Sequence, residues 1–83
     1  MTQTKVEQMQ SNQFKIWTDE GVYFQSYNSI IAFRPYGGKM QLDRSKWDYS
    51  VTTGKYRNQF LGEDKKTTEK KIASGEYELT DLN

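Results

Sequence analysis

Apolar and polar positions alternate in short runs between Gln13 and Asp43. Phe14 and Ile16 oppose Lys15 and Trp17, then Val22, Phe24 and Ser26 oppose Tyr23, Gln25 and Tyr27, the period of two of half-buried strands. Residues 30–34 contain Ile-Ile-Ala-Phe, apolar on both faces, and predict a central strand. Residues 39–43 place Met40 and Leu42 inward. Turn chemistry separates these runs at Thr18-Asp19-Glu20-Gly21, Asn28-Ser29 and Pro35-Tyr36-Gly37-Gly38. The alternation returns through Trp47, Tyr49 and Val51, which predicts a further strand. It then gives way to helical spacing, with Tyr56 and Phe60 four residues apart. Thr52 and Thr53 are natural N-caps for that helix, and Gly62 is a natural stop.

The flanks are poorer in signal. Residues 1–12 carry only Val6 and Met9 as sizeable apolar side chains after the first Met, too little to offset ordering entropy. They read as a flexible leader, with a short helix as the alternative. Past Gly62, Thr67 or Thr68 caps a short helix over residues 69–74, closed by Gly75. Glu76-Tyr77-Glu78-Leu79-Thr80 alternates as an edge strand, or forms a tail that orders on a partner. The expectation is an α+β domain with a small antiparallel sheet of about four to five strands, one packed helix beginning near Thr53 and a short C-terminal helix. Its units are a flexible leader (1–12), a sheet-plus-helix domain (13–62), and a short helix with an acidic strand or tail (63–83). The expected core is Phe14, Ile16, Phe24, Ile31, Phe33, Leu42, Trp47, Tyr49, Val51, Tyr56, Phe60 and Leu61.

Composition narrows the function. Only 34% of the 83 residues are hydrophobic, but six Tyr, four Phe and two Trp supply large buried areas to a small core. Cysteine and histidine are both absent. Disulfides, thiolate and imidazole catalysis and most transition-metal sites go with them, so a non-enzymatic protein without cofactor or metal is expected. The sequence shows no membrane-length apolar run and no hydrophobic signal segment, which predicts a cytoplasmic protein and no membrane partner. The net charge of +1 hides a division. Residues 34–71 hold ten basic side chains against five acidic, whereas residues 72–83 hold three acids and no base.

The basic segment contains the candidate chemistry. Ser50, Thr52 and Thr53 put hydroxyls beside the free amides of a helix start, and Lys55 and Arg57 add charge, an arrangement suited to a phosphate. It is not a nucleotide-hydrolase phosphate loop, because Tyr49 stands where that loop needs glycine. The simpler reading is a capped helix whose hydroxyls satisfy its own amides. Trp17, Tyr23, Tyr27 and Tyr36, placed on an uncovered sheet face near Arg34, Lys39, Arg44 and Lys46, would suit single-stranded nucleic acid, with Trp17 and Tyr36 as stacking rings. Against this, aromatics are needed simply to build the core. Lys65-Lys66 and Lys70-Lys71 read as a solvated face. Asp43 and Asp48 form no evident cleft pair.

Ser26-Tyr27 followed by Ile31-Ala32, together with Tyr49-Ser50, Thr52-Thr53, Lys55 and Phe60-Leu61, resembles a family of small uncharacterised proteins of phages and mobile elements. That family often has histidine where this chain has Tyr56. The resemblance implies a phage or mobile-element context and no specific activity. Two functional expectations follow. The first is a phage or mobile-element protein contacting nucleic acid, most simply DNA, through Ser50, Thr52, Thr53, Lys55, Arg57, Lys39, Arg44 and Lys46. The second is an inhibitor or adaptor of a host or phage protein, such as a host-defence component, using the acidic terminus. A homodimeric structural piece is compatible with both.

Overall fold

The computed structural model describes residues 4–83. Six strands form one sheet in the order β1-β2-β3-β4-β5-β6. They are β1 (Lys5–Gln10), β2 (Gln13–Trp17), β3 (Gly21–Ser26), β4 (Ser29–Pro35), β5 (Gln41–Asp43) and β6 (Glu78–Thr80). The helices α1 (Val51–Leu61) and α2 (Lys65–Ser74) lie between β5 and β6. The first five strands form an antiparallel meander. The crossover through both helices brings β6 back parallel to β5, as a parallel neighbour requires a long connection. The α+β class holds, with six strands in place of four or five.

Register sorts the side chains into two faces. Lys15, Phe24, Ala32, Leu42 and Leu79 form one cross-strand row, and Phe24, Ala32 and Leu42 of that row are fully buried. Tyr56 and Phe60 of α1 and Tyr77 pack onto this face. The Phe24 and Phe60 rings lie 5.6 Å apart. An irregularity between Phe24 and Gln25 in the β3/β4 pairing lets the adjacent Ile31 and Ala32 both enter the core. Within α1 the buried residues are Thr53, Gly54, Tyr56, Arg57 and Phe60, a stripe at helical spacing. The small residues at its start permit a close approach. Thr53 Oγ1 lies 2.9 Å from Ser26 Oγ, and at the other end Arg34 Nη2 donates to Phe60 O at 2.9 Å.

Several expectations are corrected. Residues 5–10 are a strand and not a leader: β1 pairs with β2, satisfying an edge whose amides and carbonyls would otherwise remain open. The segment from Trp47 to Val51 is not a strand. Trp47 N bonds Asp43 O at 3.0 Å, turning the chain at once after β5. Ser50 is the N-cap of α1, its hydroxyl accepting from Thr53 N at 3.1 Å, so Thr52 and Thr53 lie inside the helix. Val51 is consequently 92% exposed and Tyr49 44% exposed, and neither belongs to the core. Phe14 and Ile16 pair with Gln25 and Tyr23 on the uncovered face. Phe33 is buried on that face as well, stacked 4.3 Å from Tyr23. Helix α2 begins earlier than expected because Asp64 caps it, accepting from Thr67 N at 2.9 Å. Gly62 and Gly75 close the two helices in left-handed conformation, φ 73° and 83°, as their positions predict. The terminal segment is docked: Leu82 N donates to buried Asp43 Oδ1 at 2.8 Å, and Asn83 bonds both backbone groups of Ile30.

Two buried polar arrangements set the stability. Gln13 is fully buried, and neither atom of its amide has a partner. An orphaned buried amide is destabilising. Gln13→Met is therefore expected to raise unfolding free energy by about 1–2 kcal/mol in urea titrations; a loss of that size would show that the amide is satisfied in solution. The second arrangement joins α2 to the strand after it. Glu63 accepts from Lys71 Nζ at 2.7 Å, Thr68 Oγ1 at 2.7 Å and Tyr77 OH at 2.9 Å. Burial opposes the Glu63 charge, but the bonds from Lys71, Thr68 and Tyr77 outweigh it and hold the carboxyl below its ordinary value. The bond to Glu63 pushes Lys71 up to about 12. A depressed carboxyl contributes stability above its unfolded value of 4.5 and loses it as pH falls through the lower folded value. The urea midpoint should therefore hold steady from neutral pH down to the unfolded carboxyl range and fall below it. Glu63→Gln should lower the neutral-pH plateau and flatten that fall.

Candidate nucleic-acid interface

The link from β5 into α1 is shaped by one side chain. Arg57 is 1% exposed. Its Nη1 donates to Trp47 O at 2.8 Å and to Asp48 Oδ1 at 3.0 Å, and its Nη2 donates to Asn58 Oδ1 at 3.0 Å. The guanidinium lies 5.2 Å from the centre of the Trp47 ring. Lys65, the first residue of α2, binds the other oxygen of Asp48 at 2.6 Å. Burial raises the Asp48 carboxyl, but bonds from Lys65 and Arg57 outweigh it and the net shift is downward. Asp48 raises Lys65 in return, chiefly through their hydrogen bond. Link, α1 and α2 are thus held at one carboxylate.

Beside this knot is an open hollow of about 770 Å³ whose lining includes Tyr49, Ser50, Gly54, Lys55 and Lys65. Lys46 lies against one lining residue, with Nζ 5.1 Å from the centre of the exposed Tyr49 ring. The helix start opens here, where the amides of Val51 and Thr52 precede the first intrahelical bonds. Gly54, in the first turn of α1, belongs to the hollow's lining although it is itself buried. A Cβ added there would meet nothing closer than the Arg57 guanidinium at 3.5 Å, an ordinary contact. Glycine inside a helix costs roughly 0.5–1 kcal/mol relative to alanine.

The sequence-predicted residues divide among several places. Ser50, Thr52, Lys55 and Lys46 surround the helix start. Thr53 faces the sheet and is fully buried against Ser26, so its hydroxyl is not presented to a ligand. Arg57 is committed to Trp47 and Asp48, and the phosphate-contact role expected of it does not fit its burial. Arg44 lies at the end of β5 in a long 4.0 Å ion pair with Asp81. Lys39 belongs to the opposite end of the sheet. The pairing of Gly21 with Pro35 and of Trp17 with Val22 places Trp17, Tyr36 and Lys39 where α1 ends, about 16 Å from its start at 1.5 Å per residue. Trp17 and Tyr36 do share a second hollow, of about 730 Å³, with Lys5. The Trp17 indole lies 5.3 Å from Lys5 Nζ and 6.0 Å from Lys15 Nζ.

Lys65 and Gly54 were missed as site residues, and Tyr49 was assigned to the core. Only the fold brings the first residue of α2 against Asp48. Among the described residues no group of three or more acidic side chains is placed to hold a metal ion, and no helix is long and apolar enough to cross a membrane. A family model of unknown function, DUF8033, matches residues 2–76. The chain belongs to this family. The match spans β1 through α2 and stops short of β6. No curated protein and no solved structure matches the chain.

The arrangement makes Arg57 structural and Lys55 available. Arg57→Ala is expected to destabilise the fold by about 3 kcal/mol, because it leaves Asp48 and the Trp47 carbonyl without their buried partner. Lys55→Ala is expected to change stability by less than about 0.5 kcal/mol. Equal effects in thermal melts would show that Arg57 is not the anchor of the link.

Proposed function

We propose that this is a small non-enzymatic protein of phage or mobile-element origin, working in the host cytoplasm, that binds nucleic acid at the hollow beside the start of α1. Lys55 and Lys65 supply charge for a backbone phosphate, and the open amides of Val51 and Thr52 receive it. Lys46 widens the contact, and Tyr49 offers a ring beside it. The single observation carrying the reading is the hollow itself, in which Lys55 and Lys65 line one depression together with Ser50 and Gly54 at the start of α1.

A specific observation favours a second reading. Val51, 92% exposed at the hollow's rim, is an apolar group that phosphate recognition has no use for and a protein partner does. That reading is a phage-encoded inhibitor or adaptor of a host or phage protein. Because residues 76–83 are docked into the sheet, its acidic terminus is best probed by Glu76→Gln, Glu78→Gln and Asp81→Asn, which keep the backbone intact.

Three cations in contact predict a salt slope of about −2 to −3 and a roughly 15- to 60-fold loss of DNA affinity between about 50 and 200 mM salt. In anisotropy titrations, Lys55→Ala and Lys65→Ala should each reduce the slope by about 1. Gly54→Ala should stabilise the fold by about 0.5–1 kcal/mol and weaken binding. A stabilised Gly54→Ala protein with full affinity would remove the hollow from the site. Absence of binding at low salt would leave the protein-partner reading.

A further inference from the structure

The face of the sheet turned away from both helices carries no charge across four strands. Register gives two continuous rows there. One runs Val6, Ile16, Tyr23, Phe33 and the other Gln8, Phe14, Gln25, Ile30. The charged residues within β1 to β4 are Lys5, Glu7, Lys15 and Arg34. All four fall in the rows of Trp17, Val22 and Phe24 on the helix side. In a chain with 28% charged residues, an uncovered face ordinarily turns its charges to water. This face instead presents the stacked Tyr23 and Phe33 pair, flanked by half-buried Phe14 and Ile16 and by Val6, 58% exposed. The rows of β1 to β4, at about 4.8 Å between strands and about 3.3 Å per residue, span roughly 300 Å², the lower end of the largest patches on monomers, which are often functional.

We infer that this face packs against the same face of a second copy of the chain, sheet on sheet about a two-fold axis. A two-fold contact sets each patch against itself, so any net charge on it would meet its own sign. Across β1 to β4 no charge is set against itself, and the row reaches one only at Glu78 on the far edge strand, beyond Gln41. The same neutrality disfavours nucleic acid as the occupant, since no cation here can reach a phosphate. Facing sheets pack about 10 Å apart, and each copy keeps its helix side outward. The dimer therefore presents two of the hollows beside α1. Two such patches bury roughly 600 Å² in total, well below a standard interface, so the association is weak and reversible.

Sedimentation velocity of the full chain from about 5 to about 500 µM tests this, a range suited to weak association. The wild type should shift from monomer to dimer across it. Tyr23→Lys, in the middle of the patch, should weaken dimerisation at least about tenfold by placing like charges across the axis. Gln8→Lys, at an exposed position, should weaken it in the same direction with an unchanged circular dichroism spectrum, which separates loss of contact from loss of fold. A wild type that stays monomeric at the highest concentration overturns the proposal and leaves the face to solvent or to a different protein. A dimer that both variants retain at wild-type strength also overturns it, because pairing then runs through an edge strand such as β1.

Discussion

The guanidinium of Arg57 is the contact on which the rest of the arrangement depends. A buried cation is tolerated only when its surroundings neutralise and hydrogen-bond it. Here the Trp47 carbonyl, the Asp48 carboxylate and the Asn58 side chain do so, while the Trp47 ring covers one face. Those bonds require the chain after β5 to turn back on itself, so residues 47–50 cannot extend as a sheet strand. They also fix where α1 starts, since the turn delivers Ser50 to the capping position. Asp48 then recruits Lys65, setting the angle at which α2 leaves α1. The Nε of Arg57 has no partner, so this anchor carries a residual desolvation cost.

The same anchor separates structural from available charge. Of the cations at the helix start, Arg57 is consumed by the fold and Lys65 is half shared with Asp48, while Lys55 and Lys46 rest loosely over Tyr56 and Tyr49. Cation–ring contacts at exposed positions are worth about 0.5–1 kcal/mol, little enough for a ligand phosphate to replace them. The terminal segment is tied in differently. Burial opposes the charge on Asp43, but bonds from the backbone of Leu82 and its neighbours prevail and hold the carboxyl below its ordinary value. Those bonds keep the acidic end of the chain on the sheet.

The sheet divides the molecule into two surfaces of different character. On one side every charge of the first four strands lies beside the helices, and Glu7 faces Lys15 directly across β1 and β2. On the other, a row of apolar and aromatic side chains crosses β1 to β4 without a charge and ends through Gln41 at Glu78. Trp17, expected on the uncovered face among basic residues, lies on the helix side between Lys5 and Lys15. Tyr23 stays on the open face, which no base shares. Basic and aromatic residues interleave in the sequence, but the pleat leaves every base of the first four strands on the helix side and none beside Tyr23 and Phe33.

The α+β class, four of the six strands, the glycine stops of both helices and the Tyr56/Phe60 face of α1 were legible in the sequence. Each rests on local physics: the period of two, the left-handed freedom of glycine after a helix, and the four-residue repeat. The Lys55 site was written in the same stretch. Tertiary structure decided the rest. β1 has almost no apolar residues and forms because β2 offers it an edge. Trp47, Tyr49 and Val51 alternate like a strand, but Arg57, ten residues beyond Trp47, binds the Trp47 carbonyl and bends the segment into turns. Whether a cation near a helix start holds the fold or meets a ligand depends on what lies across from it after folding, and no spacing along the chain contains that distance.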